Sequence, residues 1–319
     1  MARIVSPIVS VDRARGYLSN VGPAGSQDML DNLTVDHGAA ACALEMAKAK
    51  AVSEAKKSLR GDFLEGLLAG TLPEAEIDRL SGRLDHDTRP PHMILTLGWS
   101  GEEPPSMRRL ETTLSWLLNN HTRPALVHPY GSQHLCVFQS LKNVTDLEPS
   151  YDLARRVVEQ VEAEFPDAVL IGGMSGPAEE LAEWPRIYRE ALQAMDVGQR
   201  LHLNNQIVEF NSLGVYRLLS ELGDNDTLQR FAMQIIGPLV RYDEDHRGSL
   251  LQTLSAYFSH HGNISQTAES LFVHRNTLLY RMDRIQELTG QDLNNADMRL
   301  ALHLSLKLWQ LRHDTTPAL

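Results

Sequence analysis

The chain has 319 residues, of which 42% are hydrophobic and 6% aromatic, with a formal net charge of −11. That length supports two or three domains, each with its own core. The acidity excludes a protein that coats nucleic acid through a uniformly basic surface, but leaves room for a specific binder with one small basic face.

Cys42 and Cys136 stand far apart with no CxxC spacing. They predict neither a disulfide framework nor a zinc site, and read as two buried thiols of a reducing cytoplasm. His260 and His261 are adjacent, and neighbouring helical positions point about 100° apart, a poor chelate. No metal or cofactor is expected. There is no run of about 18 apolar residues. Asp12 and Arg13 interrupt the short apolar patch at the N-terminus, unlike a signal peptide. The expectation is a cytoplasmic protein with no membrane contact.

Residues 1–25 alternate apolar and polar in two short runs, Ile4 to Val11 and Tyr17 to Val21, punctuated by Pro7 and Asp12-Arg13. A β-hairpin or edge pair is predicted. Two strands make no stable domain alone. They resemble the final strands of a GAF-like sensor domain, and equally fit a short hairpin capping the next domain. Residues 26–70 read as one or two long helices, with Leu44, Val52, Ala55, Leu59 and Phe63 spaced by three, four or eight and an alanine-rich middle. This is a linker or dimerisation helix, ended by Gly70 and Pro73.

Residues 71–205 alternate strand and helix. Strands are predicted at 92–97, 125–127, 135–138 and 168–172, and helices at 105–121, 151–165 and 178–195. The pair 125–127 and 135–138 forms a hairpin around Gly131-Ser132. Gly172-Gly173-Met174-Ser175-Gly176 lacks the Lys and spacing of a phosphate loop, so a strand-to-helix turn is expected there. Residues 206–248 are a helical connector with helices around 214–222 and 227–240. Pro238 and the solvated charge run Asp243-Glu244-Asp245 mark the boundary before the last domain, 249–319.

That domain holds the most informative stretch, GNISQTAESLFVHRNTLLYRMDRI at 262–285, flanked by helices at 247–260 and 297–312. Asn263 or Ser265 can cap a first helix, though Glu269 comes too late for a capping box. Ile264, Ala268 and Leu271 share one face. Phe272-Val273 forms the turn. A second helix starts near His274, buries Leu278, Met282 and Ile285, and stops at Gly290. Asn276, Thr277, Tyr280 and Arg284 lie opposite that stripe, with Arg281 on the flank and Arg275 at the exposed start. Arg binds guanine bidentately and Asn binds adenine. Thr277, Tyr280, Arg281 and Arg284 suit phosphate or thymine contacts. An ordinary helical hairpin is the plain alternative, and the concentration of Arg275, Arg281 and Arg284 weighs against it.

Residues 249–312 resemble the C-terminal helix-turn-helix domain of PucR/CdaR-type bacterial transcription regulators. VHRNTLLYRMDRIQELTGQDL (273–293) carries the likeness. The motif is also similar to the DNA-binding end of the nucleoid protein Fis. The resemblance implies a recognition helix presenting His274, Arg275, Asn276, Thr277, Tyr280 and Arg281. It also implies a preceding helix whose N-terminus, at Ser265, Gln266 and Thr267, holds a phosphate. Phe272 departs from the Gly that many such turns carry.

The α/β region is similar to the GGDEF nucleotide-cyclase fold. A working cyclase carries two glycines and acidic residues at its hairpin tip, which hold metal and substrate. Here the tip reads Tyr130-Gly131-Ser132-Gln133-His134, and the first strand ends Leu97-Gly98-Trp99-Ser100 with no Asp. Without carboxylates two Mg²⁺ ions cannot be held, so the domain is degenerate and no enzyme is expected.

The fold class expected is therefore α/β plus all-α: a degenerate GGDEF-like domain followed by a C-terminal helical DNA-binding domain, with an N-terminal strand pair and long helix. The expected function is sequence-specific regulation of transcription by a homodimer on double-stranded DNA, under a small-molecule effector. The family resemblance implies control of purine, amino-acid or sugar-diacid catabolism without choosing among them. The rivals are a nucleotide-binding or cyclase-like enzyme, disfavoured by the missing carboxylates, and a helix-turn-helix used for protein contact.

Overall fold

The computed structural model describes residues 1–319 apart from 11, 12, 26, 27, 85, 102, 120, 132, 223, 224, 247 and 313–319. Asp12, Ser26, Ser132 and Arg247, which bound or punctuate elements expected from the sequence, lie outside the described residues. Contacts divide the chain into two units, 1–85 and 86–319, each described by itself.

In the first unit, β1 (Ala2–Ser10) pairs antiparallel with β2 (Arg13–Gly22), the hairpin predicted from alternation. A single helix comes next, α1 (Met29–Leu68). Its N-cap is Asp28, whose carboxylate accepts from Asp31 N at 2.9 Å while the Asp31 carboxylate accepts from Asp28 N, a reciprocal capping box. Val35 and Ala39 are buried on the hairpin side. There a Cβ on Gly38 would meet the end of the Leu18 side chain at 2.7 Å, so a larger residue would make that side chain shift. At the other end Phe63, Leu64, Leu67 and Leu68 are buried near a short helix not expected from the sequence, α2 (Glu74–Ser81). Cys42, expected to be buried, is exposed on α1, because the burying contacts stop near Ala39 and resume at Phe63.

The second unit opens with a five-stranded sheet of order β4-β5-β3-β6-β7. Its strands are β3 (His92–Ser100), β4 (Ala125–Tyr130), β5 (His134–Ser140), β6 (Val169–Met174) and β7 (Gln206–Glu209). All pairings are antiparallel except β6 with β7. Alternation along β3 sends Met93, Leu95 and Leu97 to one face, where they pack with α3 (Met107–Asn119) and α4 (Glu148–Glu164). Thr96 points to the other face, where its hydroxyl donates to the Ala191 carbonyl of α5 (Trp184–Arg200) at 3.1 Å. Helices therefore cover both faces of a sheet buried through its middle.

In and beside the sheet the structure corrects three expectations. The strand expected at 168–172 runs on through Gly173 and Met174, which were expected in a turn, and α5 crosses almost against its backbone: a Cβ on Gly173 would sit 2.0 Å from the Ala191 oxygen. Residues 206–209, expected to begin a helical connector, form β7, whose hydrogen bonds run to β6. Residues 178–183, expected to start the following helix, precede it.

Beyond the sheet come α6 (Tyr216–Leu222) and α7 (Asp226–His246). The helix α7 runs through Pro238 and the charge run, where a boundary was expected. Proline inside a helix removes a hydrogen bond and costs about 3 kcal/mol. Ile236 and Leu239, both fully buried, offset that cost in the core of the C-terminal domain. The remaining helices are α8 (Leu250–Ser259), α9 (Ile264–Ser270), α10 (Arg275–Thr289) and α11 (Ala296–Gln310).

Candidate nucleic-acid interface

The helix-turn-helix is α9 and α10 on a core made by all the C-terminal helices. Leu278, Met282 and Ile285 of α10 are buried with Leu250 and Leu254 of α8, Ala268 of α9 and Leu302 and Leu306 of α11. Asn263 caps α9, its side-chain oxygen accepting from Ser265 N at 3.0 Å and Gln266 N at 3.2 Å. The turn is made by Phe272 with φ +53°, the left-handed conformation usually left to glycine. Its side chain is 96% exposed, while Val273 packs on the core. His274 is the N-cap of α10, its Nδ1 accepting from Asn276 N at 3.2 Å. Gly290, at φ +65°, ends the helix in a left-handed cap.

The charge run has a structural task. The Asp243 carboxylate accepts from Leu250 N and Leu251 N, both at 2.9 Å, and so caps α8 from the end of α7. No local sequence spacing signals this cap, because the acid sits seven residues ahead of the helix it serves.

The buried stripe turns the other side of α10 to solvent. Ser265, Gln266, His274, Arg275, Asn276, Thr277 and Tyr280 are all exposed, as expected of a reading surface. Thr267 departs from the expectation. It is fully buried and its hydroxyl donates to the Asn263 carbonyl at 2.7 Å, so it closes the first turn of α9 instead of meeting a phosphate. The backbone N–H groups of Ser265 and Gln266 are likewise taken by the Asn263 cap. Arg281 is half-buried and turned inward, its guanidinium donating to Thr253 Oγ1 at 3.1 Å. Arg284 donates to Glu287 at 2.9 Å and lies over the Tyr242 ring at 5.1 Å. Asp283 and Glu287 are exposed on the C-terminal half of α10. The surface free of acids is thus the N-terminal half of the helix.

Residues 250–308 match the PucR C-terminal helix-turn-helix domain, and residues 69–197 match a GGDEF-like domain. The carbohydrate diacid regulator of Escherichia coli (strain K12) is 40% identical over 125 residues, covering 39% of this chain and 31% of that protein. The purine catabolism regulatory protein of Bacillus subtilis (strain 168) is 24% identical over 326 residues, 96% of this chain and 59% of its own length. The proline-responsive transcriptional activator PutR of the same organism is 30% identical over 145 residues, 45% of this chain and 35% of that one. The chain's homologues are PucR/CdaR-type transcriptional regulators. Each of these three relatives is named as a regulator. The chain spans between 31% and 59% of their lengths.

In the region that matches a GGDEF-like domain the hairpin tip is turned to packing. Tyr130 stacks on His134 with ring centroids 5.4 Å apart, and His134 Nε2 is hydrogen-bonded to the Tyr188 hydroxyl of α5 at 2.9 Å. Burial lowers the His134 pKa below its ordinary value. Among the described residues no group of three or more His, Cys, Asp or Glu side chains is placed to hold a metal ion. The described part of the tip therefore offers an aromatic contact to α5 where a cyclase offers carboxylates. No helix of the described residues is long and apolar enough to cross a membrane.

Proposed function

We propose that the chain is a sequence-specific, DNA-binding transcriptional regulator acting in the cytoplasm. It works as a homodimer and lays the N-terminal half of α10 in the major groove. The observation that carries this reading is the two-sidedness of α10. Leu278, Met282 and Ile285 are buried, while Arg275, Asn276, Thr277 and Tyr280 stand exposed together at the helix start, where recognition helices reach base edges. The 250–308 domain match supports the same reading. Arg275 reads guanine and Asn276 adenine. Ser265, Gln266, His274 and Thr277 contact the flanking backbone, and Tyr280 contacts thymine or phosphate. Arg281 and Arg284 serve mainly to fix α10. The middle domain transmits the binding of a small-molecule effector. The relatives include a carbohydrate diacid regulator, a purine catabolism regulator and a proline-responsive activator, and the effector here is a metabolite of that size.

Fluorescence anisotropy with DNA from upstream of the chain's own gene, against shuffled DNA over a salt series, tests the reading. The Arg275→Ala/Asn276→Ala protein should lose about 1–3 kcal/mol per base contact, roughly 5- to 150-fold in affinity for each. It should bind shuffled DNA as wild type does. Equal, weak binding of both DNAs by both proteins would remove the DNA-reading role.

A further inference from the structure

The long helix α1 carries an apolar surface that no described residue of its own unit covers. Leu30, Leu33, Leu44, Val52 and Leu59 are between 50 and 69% exposed. Together with Ala41, Ala55, His37 and Lys48 they occupy positions 30, 33, 37, 41, 44, 48, 52, 55 and 59, a run of threes and fours that repeats every 11 residues. At 100° per residue these nine positions fall within an arc of roughly 100°, the width of a core-facing stripe. Val35 and Ala39, which bury against the hairpin, lie on the other side of the helix. The stripe and the hairpin contact are therefore two separate faces.

An 11-residue repeat advances 3.67 residues per turn, close to the straight helix, and winds two such helices together with a slight right-handed supercoil. A repeat matters only to a surface that repeats in the same way, and a second copy of the same helix does. The large residues are spaced by alanines, which let two backbones approach. One ammonium interrupts the stripe, and Lys48 is drawn to its flank by Glu45 at 3.8 Å, leaving its aliphatic stem on the apolar surface.

We propose that the 30–59 stripe of α1 is a dimer interface and that its occupant is the same stripe of a second copy, parallel and in register. The orientation rests on the DNA-binding reading. A helix of 40 residues is about 60 Å long. A parallel pair delivers both chains to residue 86 at one end. An antiparallel pair starts the two second units from opposite ends of the helix, about 60 Å apart. In register, all five large apolar residues meet their own copies, whereas a shift of one 11-residue repeat sets Leu30 against Ala41 and Leu59 against Lys48.

Cysteine cross-linking of the full chain in a Cys42→Ser background tests this, with light scattering of uncross-linked protein. Leu30→Cys, Leu44→Cys and Leu59→Cys should each form an interchain disulfide under mild oxidant. Wild-type Cys42, exposed but off the stripe, should not. Leu44→Glu/Val52→Glu should halve the mass from dimer to monomer, with the far-ultraviolet spectrum kept, and weaken specific DNA binding at least tenfold. Cross-linking at Leu44→Cys alone would overturn the parallel arrangement. A monomeric wild type, or a dimer indifferent to the glutamates, would overturn the interface. A wild-type dimer that loses its mass with the glutamates but binds no DNA would leave the interface standing and remove the DNA reading instead.

Discussion

Gly173 sets how closely α5 lies on the sheet, and Gly173→Ala should be among the most damaging single-methyl changes in the molecule. The added Cβ would stand 2.0 Å from the Ala191 oxygen and 2.5 Å from Met195 N. Both are helix backbone and cannot swing aside. Restoring ordinary contact near 3.4 Å means lifting α5 by roughly 1.4 Å, and a gap wider than about 1 Å forfeits more than about half of each dispersion contact it opens. Ile187, Ala191, Ala194 and Val197 are all fully buried along that helix. The Thr96 hydroxyl would lose its 3.1 Å bond to the Ala191 carbonyl and keep only the longer 3.4 Å one to the Gly173 carbonyl, at about 0.5–1.5 kcal/mol. Overpacking adds about 1–3 kcal/mol. The sum, about 1.5–4.5 kcal/mol, corresponds to a fall in Tm of roughly 3–18 °C for a unit of this size. Thermal unfolding followed by circular dichroism measures it. Gly176→Ala is the control, since its Cβ would meet movable side-chain ends, Glu190 at 3.3 Å and Asn211 at 3.5 Å. A Gly173→Ala Tm within about 2 °C of wild type would refute the close approach of α5.

Phe272→Gly should raise the Tm of the same unit. The left-handed backbone costs an L-residue roughly 1–2 kcal/mol, glycine returns about 0.5–1 of that as unfolded-state entropy, and an almost fully exposed ring gives up no burial. A gain of about 0.5–1 kcal/mol, or 1–4 °C, is expected in the same melting assay, and a lower Tm would show that the ring packs. Acid should destabilise the 86–319 unit. Burial, with His86 adding to it, pushes the His92 pKa down to about 4, and burial with Lys307 nearby brings His303 to about 4. Below pH 6.5 the unfolded chain takes up protons that these folded side chains refuse, so stability is lost as pH falls from about 6.5 towards 4, by an amount on the order of 3 kcal/mol for fully buried His92. His92→Gln should flatten the dependence of urea-unfolding free energy on pH in that window, and an unchanged slope would show that His92 does not titrate with folding.

Periodicity and caps make most elements legible. Leu278, Met282 and Ile285 recur at helical spacing, and Asn263, His274 and Gly290 punctuate the helices where the structure caps them. The elements that escape are set by partners distant in sequence. The strand β7 is four residues long, too short for an alternating signal, and exists because β6 offers it hydrogen bonds. Gly172 and Gly173 read as a turn because glycine marks both turns and close crossings, and only the position of α5 tells them apart. Pro238 reads as a boundary because the burial of Ile236 and Leu239 that offsets it depends on helices that come later in the chain.

The same limit applies to the reading surface, and it sharpens the function. Sequence spacing points to ten polar residues on two helices without saying which are already engaged. In the fold, Thr267 satisfies its own helix, Arg281 holds α8 through Thr253, and Arg284 is shared between Glu287 and the Tyr242 ring. Removing Arg281 or Arg284 would therefore disturb the seating of α10 as much as any contact with DNA. Arg275, Asn276 and Thr277 have exposed side chains at the start of α10, and their loss leaves the core of Leu278, Met282 and Ile285 untouched. A change in sequence preference with unchanged stability is the signature of a base-reading residue, and these three are the positions where the fold permits it.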